Sequence, residues 1–177
     1  MPLMIARLAE RQIETRYGRF TEILYYDGRS ESIALVMGDV AGGDDVLVRI
    51  HSACLGGHVF NSVECECASE MAAAQLAVQR EGRGVIVYLD QEGKGNGHLA
   101  LMKSIPFKLA GHSQSEAYEM AGYASDARDY RPAAAILKDL GVGSVRLLTD
   151  NPAKADGLRK LGITVTSAKP LFKTVTD

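Results

Sequence analysis

Three cysteines lie close together in the chain: Cys54, Cys65 and Cys67, within the segment HSACLGGHVFNSVECECAS. The 177-residue sequence contains no other cysteine. Three thiolates spaced in this way can converge on one soft divalent ion, and zinc is the usual occupant of sulfur-rich sites. Structural zinc sites normally have four protein ligands, whereas catalytic sites have three and leave one position for water. The trio therefore predicts a zinc site that serves hydrolysis.

Other interpretations of the cysteines remain open on the sequence alone. Cysteines in an intracellular protein are often buried side chains that behave as small apolar groups. A structural zinc site with His51 or His58 as fourth ligand is a second alternative, since His51 lies three residues before Cys54. A disulfide is disfavoured because the number of cysteines is odd.

Two polar loops follow predicted strands and carry further candidate residues. The loop 90–97 has alternating glycines that allow close approach to a ligand, with Glu92 as an acceptor and Lys94 as a cation. The loop 149–154 combines a hydroxyl group, free amides at a helix start and a lysine, which is typical of a phosphate site. Open α/β sheets generally bind ligands at the carboxyl ends of their strands. The alternative for the loop 90–97 is a plain flexible turn, and the alternative for the loop 149–154 is an ordinary capped helix.

An acid and a guanidinium also occur two residues apart, as Asp126 and Arg128 before Pro132. Such a pair can act as proton acceptor and phosphate anchor. A solvated surface ion pair is the common alternative, and the spacing does not decide between them.

Composition limits the class of protein. With 46% hydrophobic and 24% charged residues, the chain is expected to form one domain over residues 1–177. A net charge of −2 offers no broad basic surface, so a small molecule is expected as partner rather than nucleic acid. The longest apolar run, 85–89, is too short to span a membrane, and no signal peptide is recognised, which indicates a cytoplasmic protein.

The hydrophobic pattern predicts the order of the elements. Segments around 20–26, 32–37 and 46–50 have the composition of strands separated by Gly/Asp turns, and are expected to be antiparallel. Alternating helices and strands are predicted after them, at 69–80, 84–89, 132–140, 145–149 and 151–161. The sequence thus predicts an α+β or mixed α/β domain, with a β-rich N-terminal part followed by βα units around one central sheet.

Three segments taken in order resemble GTP cyclohydrolase II, the zinc enzyme that opens the guanine imidazole ring at the entry to riboflavin biosynthesis. They are RIHSACLGGHVFNSVECECASEM, EGRGVIVYLDQEGKGNG and ASDARDYRPAAAILKDLGVGSVRLLTDNPAK, and the similarity extends from about Tyr17 to Lys169. The resemblance implies that the three cysteines bind zinc and that the triphosphate is bound with Mg²⁺. It also implies a homodimer.

The resemblance further implies roles for individual residues. Asp126 matches the proposed proton acceptor, and Arg128 matches the proposed nucleophile at the α-phosphorus. Arg49 and Lys154 are implied to bind the triphosphate. The full set of implied substrate-binding residues is Arg49, Ser52, Glu70, Glu92, Gly93, Lys94, Gln114, Thr149 and Lys154.

Several residues depart from the family pattern. Ile105 stands where the family has a tyrosine thought to assist the ring chemistry, and isoleucine can neither donate nor accept a proton. Glu70 replaces a glutamine, which removes an amide donor and adds a charge. Since sites built on hydrogen bonds discriminate steeply against the wrong donor pattern, the departures predict altered specificity or an altered product. The others are Ala53, His58, Asp90, Lys94, Asn96, His98, Ala100, Gln114, Tyr118 and Asp150.

Three hypotheses for function follow from the sequence. The first is a zinc-dependent cyclohydrolase that opens GTP and either stops at the ring-opened formamide or still releases formate. The second is a related hydrolase that acts on a different nucleotide, in a secondary or catabolic pathway. The third is a nucleotide-binding protein with a structural zinc ion and no turnover.

Overall fold

The computed structural model describes residues 3–171, which fold around a mixed sheet of seven strands in the order β1-β2-β3-β5-β4-β6-β7. The predicted class, with a β-rich N-terminal part and βα units around one central sheet, is confirmed. The strands are β1 (Ala6–Thr15), β2 (Gly18–Tyr26), β3 (Glu31–Met37), β4 (Val46–Ser52), β5 (Gly84–Leu89), β6 (Val145–Leu148) and β7 (Val165–Lys169). The helices are α1 (Leu55–His58), α2 (Cys67–Glu81), α3 (His98–Leu109), α4 (Gln114–Met120), α5 (Arg131–Asp139) and α6 (Pro152–Lys160), with a 3₁₀ turn at Gly93–Gly95.

The position of β4 differs from the sequence prediction. β1, β2, β3 and β5 pair antiparallel in that order, as expected for a β-rich N-terminal part. β4, however, lies between β5 and β6 and runs parallel to both. Its residues from Val46 to His51 are all buried, which is the pattern of a strand covered on both faces. The prediction that this strand is antiparallel is therefore wrong.

The sheet has a hydrophobic core on each face. On one face, Ile136 and Leu137 of α5 and Leu158 of α6 pack against strand residues such as Val48. On the other face, Ala74 and Val78 of α2 pack with Phe20, Leu47 and Ile86. Both layers hold β4, β5 and β6 in the middle of the protein. The carboxyl ends of these three strands are consequently fixed by packing from two sides.

Helix ends follow local sequence signals. α2 ends at Gly82, whose positive φ of 74° lets its amide bond back to the carbonyls of Val78 and Gln79. α4 was not predicted, although Ser113 and Glu116 form a capping box that the pattern Ser-x-x-Glu could have indicated. β1, α1, α3 and β7 were also not predicted. Within residues 3–171, none of the helices is long and apolar enough to cross a membrane.

Candidate metal centre and adjoining cavity

The parallel arrangement of β4, β5 and β6 brings their carboxyl ends to one edge of the sheet. Ser52 ends β4, and the segment with Cys54 follows it directly. The loop 90–97 follows β5, and the loop 149–154 follows β6. The candidate residues from these separate stretches therefore meet at the edge where open α/β sheets bind ligands.

The three cysteine sulfurs lie together at this edge. All three Sγ atoms are within 4.8 Å of one another, and those of Cys54 and Cys65 are 3.6 Å apart. Four sulfurs around zinc at about 2.3 Å would stand about 3.8 Å apart, so the observed spacing fits three corners of such a site. Cys54 caps α1, and its Sγ also accepts a hydrogen bond of 3.4 Å from the amide of Gly57. The thiol groups are thus held in place by the starts of α1 and α2.

The ionisation of the thiols also favours a cation. Burial raises the pKa of Cys54. Burial also raises the pKa of Cys67, and the neighbouring thiols of Cys65 and Cys54 raise it further. Burial acts in the same direction on Cys65, but hydrogen bonds from Cys67 lower its pKa overall. Three adjacent thiolates repel one another, and a bound divalent cation removes that penalty because it binds the deprotonated form. The donor set therefore fits zinc.

His51 and His58 form a separate network behind the cysteines. His58 Nδ1 accepts a hydrogen bond of 3.3 Å from the Cys54 amide, so Nε2 carries the proton of the neutral ring. That Nε2 lies 2.9 Å from Nε2 of His51 and 3.3 Å from the Cys67 carbonyl. Burial, with Arg49 and His58, lowers the pKa of His51 to about 3. Because both His58 nitrogens are used here, the geometry gives no support to a histidine as fourth ligand, and the metal-binding group found within residues 3–171 contains the cysteines alone.

A cavity of about 240 Å³ adjoins the cysteines, all three of which line it. One part of its wall is apolar and comes from Leu101 and Ile105 of α3. The polar lining includes six residues predicted from the sequence, which are Ser52, Glu92, Gly93, Lys94, Gln114 and Arg128. A larger cavity of about 420 Å³ lies beside α2 and β6, but no predicted site residue lines it. The chemistry-bearing residues thus favour the smaller cavity.

Glu92 connects the loop 90–97 to the cysteine segment. Its carboxylate accepts hydrogen bonds of 3.1 and 3.2 Å from the amide of Leu55, which follows Cys54. His98 Nδ1 lies 3.3 Å from the same carboxylate. Glu92 therefore fixes one wall of the cavity relative to the metal site.

The loop 90–97 is also joined to the segment that carries Asp126 and Arg128. Gln91 donates to the carbonyl of Asp129 at 2.7 Å and accepts from its amide at 3.0 Å. The amide of Ala127 donates to the carbonyl of Lys94 at 2.8 Å. The two segments are therefore joined by hydrogen bonds between residues that are 33 and 38 positions apart in the sequence.

Arg128 reaches the cavity with its charge fixed by Asp126. Its Nε lies 2.9 Å from Oδ1 of Asp126, and Nη2 contacts the other carboxylate oxygen. This hydrogen bonding raises the pKa of Arg128, although burial acts against it. Asp126 does not line the cavity, and its pKa is lowered by the hydrogen bonds with Arg128 in spite of burial. The pair therefore presents a permanent cation to the cavity.

A second group of predicted residues is buried next to this edge and outside the cavity lining. Arg49 is paired with Glu70 at 2.8 Å and donates to the Leu148 carbonyl at 3.1 Å. Lys154 donates to the Ile50 carbonyl at 3.1 Å. Burial, followed by Arg49 and Arg128, lowers the pKa of Lys154 to about 8. Thr149 is buried as well, and its hydroxyl accepts from the Asn151 amide at 3.0 Å.

Tyr118 is one of several cavity residues that the predicted site does not include. Tyr118, which the sequence marked merely as a departure from the family, lines the cavity from α4. Its side chain is fully buried, and its hydroxyl makes no hydrogen bond within the described residues. No motif in the sequence indicates this position, because it depends on the packing of α4 against the loop 90–97.

One family model and a set of curated relatives match nearly the whole of the described chain. The sequence profile described as GTP cyclohydrolase II matches residues 6–170. The chain is 44% identical over 171 residues to "Riboflavin biosynthesis protein RibBA" of Nocardia farcinica, covering 94% of this chain and 41% of that protein. It is 43% identical over 170 residues to the Bacillus mycoides protein of the same name, covering 95% and 43% respectively. The chain thus spans about two fifths of the length of these curated relatives.

A solved structure shares the fold. It is the crystal structure of RibBX, a two-domain 3,4-dihydroxy-2-butanone 4-phosphate synthase from A. baumannii. The TM-score is 0.54 at 22% sequence identity, and the match covers 93% of this chain and 40% of that one. At this level of identity the likeness concerns the fold alone.

Proposed function

Because the chain belongs to the GTP cyclohydrolase II family, we propose that it catalyses zinc-dependent hydrolytic opening of the imidazole ring of GTP at C8, with release of pyrophosphate. One observation carries the proposal: the three cysteines line the same cavity as Glu92, Lys94 and Arg128. Zinc bound by the three thiolates would supply the activation of water that attack at C8 requires. We assign this activity to a single domain, as the match over residues 6–170 favours.

The guanine base is assigned to the part of the cavity next to the cysteines. Leu101 and Ile105 give that part an apolar wall suited to a planar ring, while Ser52 and Gln114 offer polar groups at its edges. Glu92 keeps the wall in position through the Leu55 amide. Its remaining oxygen capacity can accept a hydrogen bond from the base.

The triphosphate is assigned to the cationic side, toward Arg128, Lys154 and Arg49. Release of pyrophosphate breaks the bond between the α-phosphorus and the bridging oxygen, and negative charge builds on phosphate oxygens as it breaks. Cations fixed before the reaction stabilise that charge. Arg128 lines the cavity and Lys154 is buried beside it, and the positive charge of Arg128 contributes to the lowered pKa of Lys154.

Arg128 is proposed as a phosphate anchor rather than as the nucleophile that the family resemblance implies. A nucleophilic guanidine has to lose its proton, and the hydrogen bonds with Asp126 raise the pKa of Arg128. In the same way, the lowered pKa of Asp126 makes that carboxylate a weak base while the pair is intact. The geometry thus supports an electrostatic role for the pair.

Magnesium is proposed to enter with the triphosphate. No cluster of carboxylates suited to a dedicated Mg²⁺ site occurs among residues 3–171, where the metal-binding group found is the cysteine trio. We therefore assign no residue of this chain to magnesium.

The stage at which hydrolysis ends depends on the groups that reach the ring-opened formamide. Ile105 lines the cavity, and its hydrocarbon side chain supplies no proton. If position 105 alone decided the outcome, the reaction would stop at the formamide.

We further propose that two copies of the chain associate in the cytoplasm. α3 carries exposed apolar side chains at Leu99, Met102 and Leu109, which are 62, 61 and 81% exposed. Exposed apolar residues grouped along one helix favour a protein interface. The three free thiols suit a reducing compartment. Light scattering at micromolar concentration tests the dimer, with Leu109→Lys expected to shift the chain toward the monomer.

The activity is tested by incubating the purified chain with GTP, Mg²⁺ and Zn²⁺ while pyrophosphate, formate and ring-opened products are followed by mass spectrometry. We expect stoichiometric zinc, consumption of GTP, and loss of both metal and turnover in Cys65→Ser. A fully active, zinc-free Cys65→Ser variant would contradict the assignment. Turnover of another nucleotide but not of GTP would mean that the same hydrolytic site acts on that nucleotide instead. Binding without turnover across a nucleotide panel would leave a non-catalytic nucleotide-binding protein.

A further inference from the structure

The hydroxyl of Tyr118 is a buried donor without a partner at the wall of the candidate active site. Tyr118 is fully buried within α4 and lines the cavity. The side chains of Gln114 and Ser104 lie close enough to lower its pKa as hydrogen-bonding neighbours, but the hydroxyl completes no hydrogen bond with either within the described residues. The Ser104 hydroxyl instead donates to the Leu101 carbonyl at 2.7 Å. The phenol proton is therefore available to a group that enters the cavity.

The position of this hydroxyl is defined by the loop 90–97. It lies 3.4 Å from the point where a Cβ at Gly93 would stand, next to Glu92. Glycine at position 93 leaves this approach open. Burial raises the pKa of Tyr118, against the opposing effect of Gln114 and with a further contribution from the negative charge of Glu92, so the phenol keeps its proton at neutral pH. The residue is thus a neutral donor at the inner wall of the cavity.

Several other polar groups around the cavity already have hydrogen-bond partners, whereas the Tyr118 hydroxyl has none within the described residues. Lys94 Nζ already donates to the Ser115 hydroxyl at 3.0 Å. Glu92 is held by Leu55 and His98, and Arg128 by Asp126. Leu101 and Ile105 are apolar. A buried hydroxyl that is left unpaired costs free energy, and a substrate that accepts its hydrogen bond recovers that cost.

We propose that Tyr118 is the proton donor for the release of formate from the ring-opened formamide, in place of a proton-bearing side chain at position 105. The proposal rests on the proposed function. In this step the oxygen of a second water forms a bond to the formyl carbon. The bond from that carbon to nitrogen breaks, and its electron pair stays on the nitrogen. The nitrogen takes the proton of the Tyr118 phenol, and the phenolate regains a proton from the attacking water.

This role of Tyr118 predicts that formate is released, whereas Ile105 alone predicts that the reaction stops at the formamide. The chain releases formate because the phenol of Tyr118 on α4 serves the cavity that Ile105 of α3 also lines. Tyr118→Phe removes one oxygen atom and leaves the packing of the ring unchanged, so it isolates the role of the proton. The matched control is Tyr123→Phe, which removes the same atom from a residue that does not line the cavity.

The test measures formate, pyrophosphate and formamide in single incubations of wild type, Tyr118→Phe and Tyr123→Phe, with zinc content and melting temperature determined for each. In Tyr118→Phe we expect the formate to pyrophosphate ratio to fall by about 10²-fold, the loss typical of a missing general acid. Formamide should accumulate, while zinc content stays that of wild type. Tyr123→Phe should keep the wild-type ratio. In the Tyr118→Phe background, Ile105→Tyr should restore formate.

The outcomes separate this role from the proposed function. If wild type consumes GTP and forms pyrophosphate without formate, the role of Tyr118 is wrong and ring opening stands. An unchanged formate to pyrophosphate ratio in Tyr118→Phe would equally overturn it and would identify a structural hydroxyl satisfied by bound water. Failure of wild type to consume GTP at all would overturn the proposed function, and this role would fall with it.

Discussion

The guanidinium of Arg128 is bound to the carboxylate of Asp126, with Nε 2.9 Å from Oδ1. The same spacing recurs immediately afterwards, where Arg131 Nε lies 3.0 Å from Oδ1 of Asp129. Arg128 lines the cavity and Arg131 does not. The chain thus contains two ion pairs of similar geometry, one at the candidate site and one outside it.

This duplication permits a controlled test of the phosphate anchor. Arg128→Gln should lower kcat/KM for GTP by about 10²–10³-fold, since a fixed charge at the phosphates is lost. Arg131→Gln should leave kcat/KM within about twofold because its side chain is exposed and away from the cavity. Steady-state kinetics with pyrophosphate detection gives both values. Equal losses in the two variants would mean that the ion pairs merely hold the loop.

Gly95 tests the contact between the two loops. A Cβ at Gly95 would stand 2.5 Å from the Ala127 carbonyl oxygen, whereas a Cβ at Gly97 would meet nothing within 4 Å. Both glycines have positive φ, 83° and 93°, so alanine strains the backbone at either position by about 1–3 kcal/mol. Gly95→Ala should in addition displace Arg128 and lower kcat by about 10²-fold. Comparison of kcat and of denaturation midpoints in the two variants checks this, and identical kcat values would argue against the contact.

Gly57 tests the packing around the thiols. An alanine Cβ at position 57 would stand 2.9 Å from Cys65 Sγ and 3.4 Å from Cys54 Sγ. At the neighbouring Gly56, the nearest atom is Ser62 Cβ at 3.6 Å. Gly57→Ala should therefore weaken zinc binding by about 10–100-fold, while Gly56→Ala should keep the wild-type affinity. Competition with a chromogenic chelator measures both, and unaltered zinc affinity in Gly57→Ala would disprove crowding at the metal site.

Lys154 predicts a pH dependence of nucleotide capture. Its pKa is lowered to about 8, chiefly by burial, so the side chain is a cation below that pH and neutral above it. Phosphate binding needs the cation, and kcat/KM should therefore fall as pH rises through about 8. In Lys154→Arg the side chain stays charged, so the fall in kcat/KM should move to higher pH. A pH profile of kcat/KM from 6.5 to about 9.5 checks the shift, and superimposable limbs in the two proteins would exclude Lys154 as the titrating group.

The lowered pKa of Lys154 also affects the free energy of unfolding. A lysine in an ion pair stabilises the folded protein below its pKa, whereas Lys154 destabilises it there. Since the folded pKa lies below the unfolded value, the unfolded chain binds more protons between about pH 8 and 10.4. This group therefore costs stability below pH 8, and the cost disappears as pH rises through that window. The cost is consistent with a charge kept for ligand binding.

Much of the candidate site can be predicted from short stretches of sequence, because its determinants are local. Cys54, Cys65 and Cys67 lie within 14 residues, and the segments that hold them begin α1 and α2. The end of α2 at Gly82 depends on backbone freedom at one residue. The loop 90–97 can be recognised in the sequence from its glycines, because glycine adopts positive φ angles that other residues avoid.

Tertiary structure decided what depends on pairing between distant segments. The insertion of β4 between β5 and β6 is a matter of strand order, and a fully buried strand carries the same apolar pattern whatever its direction. That insertion brings Ser52, Glu92 and Thr149 to one edge. Tertiary packing also decides that His58 bonds to His51, and that Tyr118 of α4 lines the same cavity as Ile105. A sequence fixes the chemistry of each side chain, but which side chains meet is decided by the free energy of packing the whole chain.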